Sequence, residues 1–432
     1  MSEDRHVDIH VPALTRVEGE GSLELRVRGG AIEKLALSIF EPPRYFEKFL
    51  EGREHDEVID IVARICGICP VAYQMSASRA LEDAFGLVVP DWVNRMRRVF
   101  YCGEWLQSHS LHIHLLAAPD FLGFDSVIGM SEKHPEAVER GLGIQSLGNA
   151  LISLFGARSV HPVGARVGGF HHAPDPADVA AIRQRIGQAL TDAEDLIEWT
   201  ASLPLPSDDQ DFVSVSLRHP EEYPMDRGRI VSSAGLDIDP SAFEDHVRET
   251  HRAHSTALYA HLDDRPYLVG PLARLNLNHD RLPAATARVL DRTGIRFPSR
   301  NMFHSIVARA VEIHVALSEA HRLLADYQTP DRPFAEVQPG QGTGYGCTEA
   351  PRGILWHRYD TDAQGLIESA RIVPPTSQNQ ARIEEDLHRS LKAFGLDQSD
   401  DALRLRAETV IRNYDPCISC ATHFLDLDIR RD

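Results

Sequence analysis

The spacing of hydrophobic residues predicts a chain built mainly from long helices. Apolar residues recur every three or four positions in Trp92–Leu116, Val179–Ile197 and Phe303–Leu324, as in helices that bury one face. A fourth helix-like run, from Val71 to Phe85, follows Pro70. Proline suits the first turn of a helix because its missing N–H would have no partner there. We therefore expect a bundle of long helices at the core.

Alternating apolar and polar residues predict strands in two regions. Ser22–Ile39 alternates on both sides of Gly29-Gly30, which supplies the turn of a hairpin. A second group of strands is expected from Ile354 to Val373. The connections rich in proline and aspartate are too short to be flexible linkers between domains. The predicted fold class is α+β, predominantly α, with residues 1–432 in a single domain.

Composition and charge argue against two classes of function. The 432 residues include 64 Asp and Glu against 45 Lys and Arg, a net charge of −19. A protein that binds a nucleic-acid backbone needs clustered cations instead. No apolar run approaches the ~20 residues of a membrane-spanning helix, and the N-terminus has no secretory pattern. We expect no nucleic-acid partner, no membrane insertion and a cytoplasmic location.

The cysteines indicate metal or redox chemistry rather than disulfide bonds. Four of the six form two Cys-x-x-Cys pairs near opposite ends of the chain, Cys66/Cys69 and Cys417/Cys420. The helix predicted after Cys69 places this sulfur at a positive dipole end, which favours the thiolate. One such pair alone also fits a dithiol redox motif, half a zinc site or incidental buried thiols. Two widely separated pairs favour a buried catalytic centre for zinc, nickel or iron.

The sequences around both pairs resemble the ligand motifs of the nickel-iron hydrogenase large, catalytic subunit. The two motifs are Arg64-Ile-Cys-Gly-Ile-Cys-Pro70 and Asp415-Pro-Cys-Ile-Ser-Cys-Ala-Thr-His423. Further segments resemble family signatures in the expected order: Thr15-Arg-Val-Glu-Gly19, His161-Pro162 with Gly168-Gly169, and Ala350-Pro-Arg-Gly353. The resemblance spans essentially the full chain. It implies the fold of that subunit and reversible, heterolytic H2 oxidation at a nickel-iron centre.

The resemblance implies a role for each motif cysteine. Cys66 and Cys417 would bind nickel alone, whereas Cys69 and Cys420 would bridge nickel to an iron that carries carbonyl and cyanide ligands. The proton from H2 would move first to the Cys417 sulfur and then to Glu18, which matches a proton-transfer carboxylate of the family. Without its motif, Glu18 would be interpreted as a surface or turn-capping glutamate.

The resemblance also implies residues around the open metal position. Arg352 matches an arginine that overhangs it, and Asp120 and Asp415 match carboxylates that hold this rigid, permanently charged fork. Asp415 would also serve as a turn residue before Pro416, and both roles can hold at the same time. On the iron side, Thr376 matches a hydroxyl that donates to cyanide, and Pro351 would line the same cofactor. Without the family, Thr376 would be an ordinary loop residue.

A second ion is implied near the C-terminus. Glu47, the Ile372 carbonyl and His423 match the ligands of a magnesium or second iron ion, and oxygen ligands suit a hard cation. Mature chains of relatives end at this histidine, after an endopeptidase removes a C-terminal peptide. We therefore predict cleavage of residues 424–432, although their alternating pattern also fits a terminal strand in a protein that is never clipped.

Other residues refine or limit this interpretation. Tyr73 stands where many relatives have His, so a hydrogen bond to the Cys69 sulfur comes from a phenol or not at all. A tyrosine here resembles the soluble, NAD(P)-linked, sulfhydrogenase-type subgroup (alpha subunit). Cys102 and Cys347 are expected to be buried free thiols. Three histidines are interpreted as core or helix-face residues rather than metal ligands: His109, His112 and His114.

The sequence also indicates partners. It contains no glycine-rich dinucleotide fingerprint and too few further cysteines for iron-sulfur clusters. The resemblance therefore implies an iron-sulfur small subunit, diaphorase subunits that carry flavin and NAD(P), and maturation factors with an endopeptidase. Two alternatives are a metal-free subunit related to the quinone site of respiratory complex I, which the intact cysteines disfavour, and a zinc-stabilised scaffold.

Overall fold

The computed structural model describes residues 6–422, in which long helices are flanked by small antiparallel sheets. The α-helices are α1 (Phe46–Leu50), α2 (His55–Val62), α3 (Pro70–Ala84), α4 (Asp91–Leu111), α5 (Ala118–Leu122), α6 (Val127–Ser131), α7 (Pro135–Gly156), α8 (Pro176–Ser202), α9 (Phe243–His246), α10 (Pro271–Asn278), α11 (Ala284–Arg292), α12 (Ser305–Leu323), α13 (Pro375–Phe394) and α14 (Asp400–Tyr414). The predicted ligand His423 and the predicted cleavable peptide lie outside the described residues.

The strands form five small antiparallel sheets within the described chain. They are β1 (Val7–Val11), β2 (Gly21–Arg28), β3 (Ala31–Ile39), β4 (Ala165–Arg166), β5 (Gly169–Phe170), β6 (Val215–Arg218), β7 (Arg229–Ser232), β8 (Asp237–Ile238), β9 (Val247–Arg252), β10 (Ser255–Leu262), β11 (Gly342–Ala350), β12 (Gly353–Thr361) and β13 (Ile367–Val373). Three sheets have three strands in sequence order: β1–β3, β6–β8 and β11–β13. The two other sheets have two strands each, β4 with β5 and β9 with β10.

The predicted long helices are confirmed and form the centre of the fold. They correspond to α4, α8 and α12, where α12 packs on α4 and α8, and α4 also packs on α7. Helix α4 continues beyond its last residue as a π-helical segment, His112–Ala117, which the apolar spacing did not reveal. Buried side chains of these helices share one main hydrophobic core. The run after Pro70 is α3, as predicted.

The predicted strands are also confirmed in both regions. The expected hairpin is β2–β3, and the C-terminal strands are β12 and β13 beside β11. The sequence did not reveal the strands between 215 and 262. Several of these are too short for alternation to be recognised, since β6 and β7 have 4 residues each and β8 has 2.

A glycine-lined face of β11 allows this strand to lie directly against α3. The glycines on this face are Gly342, Gly344 and Gly346. A Cβ atom at Gly344 would lie 1.9 Å from the Ala80 carbonyl oxygen of α3. The close approach sets the distance between two functional segments, because α3 begins after Cys69 and β11 leads into the turn that carries Arg352.

We expect Gly344→Ala to lower the free energy of unfolding by about 1–3 kcal/mol or more, because the methyl group must push helix and strand apart. Calorimetry of the purified protein would show this as a lower unfolding temperature. Gly340→Ala is the matched control, since nothing lies within 4 Å of a Cβ added there. Equal unfolding temperatures for both variants would contradict the packing argument.

Candidate metal centre

Four buried cysteine sulfurs from opposite ends of the chain converge at one point. The Sγ atoms of Cys66, Cys69, Cys417 and Cys420 all lie within 4.8 Å of one another. Cys66 Sγ is 3.4 Å from Cys417 Sγ, and Cys69 Sγ is 3.8 Å from Cys420 Sγ. The fold thus brings together the two pairs recognised from their spacing. Among residues 6–422, no other cluster of metal-ligating side chains converges in this way.

The N-terminal pair is shaped by the start of α3. Cys69 is the residue that precedes the first helical turn, and Pro70 occupies that turn. The backbone N–H groups of Ile68 and Cys69 donate to Cys66 Sγ at 3.3 and 3.2 Å. Amide donors and the positive end of the helix dipole both favour thiolate over thiol. The local backbone therefore prepares Cys66 for a cation.

The C-terminal pair is held by segments distant in sequence. Asp415 ends α14 in the left-handed conformation, with φ 54°, which turns the chain toward the other cysteines. The Cys417 N–H donates to Thr376 Oγ1 at 3.0 Å, and the Ile418 N–H donates to the Glu18 carbonyl at 3.1 Å. Helix α13 and the N-terminal loop, residues 12–20 between β1 and β2, thus fix this pair jointly.

The electrostatics of the four sulfurs fit a metal-binding donor set. Burial raises the pKa values of Cys69 and Cys417 well above the usual range. Burial acts the same way on Cys66, but hydrogen bonds from neighbouring cysteines, led by Cys417, and the charge of Arg352 hold its pKa well below that range. One guanidinium cannot compensate four buried thiolates. Soft metal cations would compensate this negative charge, since they displace the thiol protons when they bind.

Arg352 lies beside the cysteines in the turn between β11 and β12. Its Nε donates to the Asp415 carbonyl at 2.6 Å, and its Nη2 donates to Asp415 Oδ1 at 3.0 Å. Burial acts to lower the pKa of Arg352, but the charges of Asp415 and nearby cysteines, including Cys417, raise it well above its usual value. Within the described chain its buried Nη1 has no hydrogen-bond partner. Arg352 is therefore a permanent cation whose Nη1 group is available to donate to a ligand.

The expected pairing of Asp120 with Arg352 is wrong. The Asp120 carboxylate accepts from Arg412 Nε at 2.7 Å and from Arg412 Nη2 at 3.0 Å, and it also pairs with Arg16. Asp120 lies beyond the π-helical segment and faces α14 and the N-terminal loop. It joins the loop that carries Glu18 to the helix that leads into the second cysteine pair.

The sequence did not identify Glu104, a fully buried carboxyl group on α4. Its oxygens accept from the Val71 N–H at 2.6 Å and the Ala72 N–H at 3.1 Å, at the N-terminus of α3. Burial raises its pKa well above the usual range, and the nearby charge of Cys66 adds to this rise. The signal in the sequence is a lone acidic residue within the apolar stretch Phe100–Leu106.

The structure brings together two of the three residues expected at a second ion. The Ile372 N–H donates to Glu47 Oε1 at 2.7 Å. Burial raises the pKa of Glu47 to about 7. The third residue, His423, is outside the described chain. Pro351, expected near the iron cofactor, directly precedes Arg352 and accepts a hydrogen bond from Arg274 at 3.3 Å through its carbonyl.

Tyr73 is fully buried, and its hydroxyl makes no hydrogen bond to any described residue, Cys69 included. Cys102 and Cys347 are buried free thiols, as predicted. Three histidines interpreted as core or helix-face residues are all buried: His109, His112 and His114.

Between residues 6 and 422, no helix combines the length and apolar character needed to cross a bilayer.

Comparisons with known proteins agree with this site. Residues 44–140 and 241–423 match the family described as nickel-dependent hydrogenase. The chain is 31% identical over 421 residues to the sulfhydrogenase 2 subunit alpha of Pyrococcus furiosus, covering 97% of this chain and 100% of that protein. It is 27% identical over 465 residues to the NAD-reducing hydrogenase HoxS subunit beta of Cupriavidus necator, covering 96% of this chain and 94% of that protein.

Among solved structures, the fold is similar to an NAD⁺-reducing nickel-iron hydrogenase in the H2-reduced state, with a TM-score of 0.86 and 27% identity over 96% of this chain and 99% of that one. The two family-matched segments contain both cysteine pairs. These similarities decide against the zinc-stabilised scaffold and the metal-free quinone-site subunit. The chain therefore belongs to the nickel-dependent hydrogenase family, as a catalytic subunit whose paired cysteines converge on one metal-binding site.

Proposed function

We propose that this hydrogenase subunit belongs to a cytoplasmic, NAD(P)-linked enzyme in which electrons from H2 pass through partner subunits to a nicotinamide cofactor. The similarity to an NAD-reducing relative over 96% of the chain supports this assignment. The observation that carries the metal centre of this enzyme is the convergence of four buried sulfurs beside an arginine that keeps one donor group.

Electron transfer out of the site requires other subunits. The two remaining cysteines, Cys102 and Cys347, lie on α4 and β11 as isolated buried thiols. An iron-sulfur cluster is usually held by about four thiolates. We therefore assign the clusters to an iron-sulfur small subunit, and flavin and NAD(P) to diaphorase subunits.

Cys66, Cys69, Cys417 and Cys420 would together hold a centre of nickel and of iron with carbonyl and cyanide ligands. When bound, this centre supplies the heterolytic cleavage of H2. Soft, electron-rich thiolates suit both metals. Cys66, which already receives two amide hydrogen bonds, would be one of the nickel ligands.

The surrounding residues orient and polarise the site. Arg352, held by Asp415, would direct its Nη1 donor at the open metal position, where a fixed cation needs no reorganisation during the reaction. The Thr376 hydroxyl accepts from the Cys417 amide and so keeps its own proton to donate to a cyanide ligand. Pro351 would exclude water from the same side of the site.

Glu18 is the proposed path for the proton. A parallel β-bridge places it beside Cys417, and its half-buried carboxylate accepts hydrogen bonds from the Ser419 N–H at 3.1 Å and from the Ser419 hydroxyl. A carboxylate held beside the segment that carries the Cys417 sulfur could take a proton from that sulfur and pass it outward. Ser419 would hold the carboxylate in position for this transfer.

Infrared spectroscopy and metal analysis of the purified enzyme test the assignment. We expect bands from metal-bound carbonyl and cyanide, nickel and iron in the preparation, and H2-dependent reduction of NAD⁺ or NADP⁺. Zinc alone, without these bands, would refute the metal centre. The bands without nicotinamide reduction would refute only the link to NAD(P).

Cys417→Ser should abolish nickel retention and H2 oxidation, because a hard hydroxyl cannot replace a soft thiolate. Nickel is measured by elemental analysis of the purified variant. Cys102→Ser is the matched control, since this buried thiol contacts Met225 Sδ at 3.9 Å rather than the cysteine cluster. Full nickel occupancy with normal turnover in Cys417→Ser would overturn the ligand assignment.

Glu18→Gln should preserve the metals but slow hydrogen/deuterium exchange on H2 by about 10²-fold or more, because an amide cannot exchange a proton at neutral pH. Infrared spectra report whether the centre is intact. Glu20→Gln, two residues along the loop and exposed, should leave exchange unchanged. Undiminished exchange in Glu18→Gln with native spectra would show that the proton leaves by another path.

We also propose that Glu47, the Ile372 carbonyl and His423 bind a magnesium or second iron ion after maturation. Removal of residues 424–432 by an endopeptidase would make His423 the last residue of the chain. His423 could then turn inward and bind this ion. The expected result is an active subunit whose intact mass ends at His423. A nickel-loaded, active chain that still ends at Asp432 would show that the enzyme matures without cleavage.

A further inference from the structure

We propose that Arg274 is a positioning residue for Arg352, because it clamps the backbone turn that presents Arg352 to the metal centre. The inference rests on the role proposed above for Arg352. Arg274 lies on α10, far in sequence from both cysteine pairs, and its side chain is fully buried.

The clamp consists of two hydrogen bonds to the residues immediately before Arg352. Arg274 Nη1 donates to the Ala350 carbonyl at 3.0 Å, and Nη2 donates to the Pro351 carbonyl at 3.3 Å. Ala350 is the last residue of β11, so both contacts fall where the strand ends and the turn begins. One guanidinium thereby fixes two successive peptide groups.

The direction of Arg274 is itself fixed on every side. Glu312 accepts from its Nε at 2.6 Å and from its Nη2 at 2.8 Å, and Glu349 accepts from its Nη1 at 2.5 Å. Both glutamates are fully buried, and the Arg274 Cζ atom lies 4.4 Å from the Trp105 ring centroid. A guanidinium has five N–H groups. Each of them has an acceptor here, so a single orientation satisfies the group.

A second chain of contacts connects Glu312 to Arg352 from the other side. His109 Nε2 lies 3.0 Å from Glu312 Oε2, and His109 Nδ1 lies 3.3 Å from Arg309 Nη1. The same Arg309 nitrogen lies 3.3 Å from Asp415 Oδ2, whereas Arg352 binds Oδ1 of that carboxylate. The contacts therefore close a buried ring that begins and ends at the turn of Arg352.

This ring of contacts can fix the direction in which the Arg352 guanidinium points. The backbone turn alone does not fix that direction. A displacement of about 1 Å at a positioned catalytic group can lower a rate by about 10²-fold. A lysine at position 274 would keep the charge but present its donors from one point, so it could not hold both carbonyls and both glutamates. Arg274→Lys therefore tests positioning more directly than a variant that removes the charge would.

The experiment compares Arg274→Lys with Arg97→Lys, each alone and combined with Arg352→Lys, in the purified holoenzyme. Arg97 is the matched control, because it is buried and forms a fork with Glu82, with contacts of 2.8 and 2.5 Å, away from the Arg352 turn. Nickel content, unfolding temperature, kcat, KM for H2 and crystal structures are measured for every variant.

We expect nickel-replete Arg274→Lys to lose about 10- to 100-fold in kcat, with a smaller change in KM. Its crystal structure should show the Arg352 guanidinium displaced from Asp415. In the Arg352→Lys background, adding Arg274→Lys should cause little further loss, because the group that it positions is already gone. Arg97→Lys should lower the unfolding temperature without these effects on kcat or on Arg352.

Native Arg352–Asp415 bonds and wild-type kcat in nickel-replete Arg274→Lys would overturn the proposal, as would an equal loss of kcat in Arg97→Lys. If Arg274→Lys does not fold, Arg274→Gln is compared in the same way, because one amide group also cannot hold both the Ala350 and the Pro351 carbonyl. An undisturbed Arg352 with wild-type kcat in that variant overturns the proposal. Wild-type turnover in Arg352→Lys would instead refute the proposed role of Arg352, while the crystal structures would still show whether Arg274 positions it.

Discussion

The burial of four cysteine sulfurs in one site is the constraint on which the rest of this structure depends. A thiolate loses hydration when it is buried, and repulsion from neighbouring thiolates adds to this unfavourable free energy. The fold offsets this with amide donors to Cys66, the dipole of α3 and the charge of Arg352. These groups do not neutralise four thiolates. Bound metal cations would supply the remaining positive charge.

The same constraint explains why distant parts of the chain interlock around the site. Cys66 and Cys417 are 351 positions apart, so their sulfurs meet only when most of the fold has formed. Thr376 and Glu18 each bind the backbone of the second pair, while Asp120 ties the N-terminal loop to α14. We therefore expect metal binding and tertiary folding to be coupled, because the two cysteine pairs come from opposite ends of the chain.

The predictions from the sequence succeeded where a pattern is local and failed where pairing is long-range. The long helices were predictable because each repeats apolar residues over many turns, and the hairpin was predictable from its alternation around Gly29-Gly30. Asp120 was assigned to the wrong arginine, and Glu104 was missed, although both are carboxyl groups near the site. Sequence spacing shows that such groups exist, but it does not show which arginine or helix terminus each one contacts.

The sequence by itself determined the family, the helical character of the core and the four cysteines whose sulfurs converge, because residue type and short spacings carry that information. Only the tertiary structure decided how the charges pair. Asp415 rather than Asp120 holds Arg352, and Arg274 reaches the turn before it from a separate helix. Buried arginines and carboxylates attract one another whatever their place in the chain, so only their distances in the folded protein select the partners.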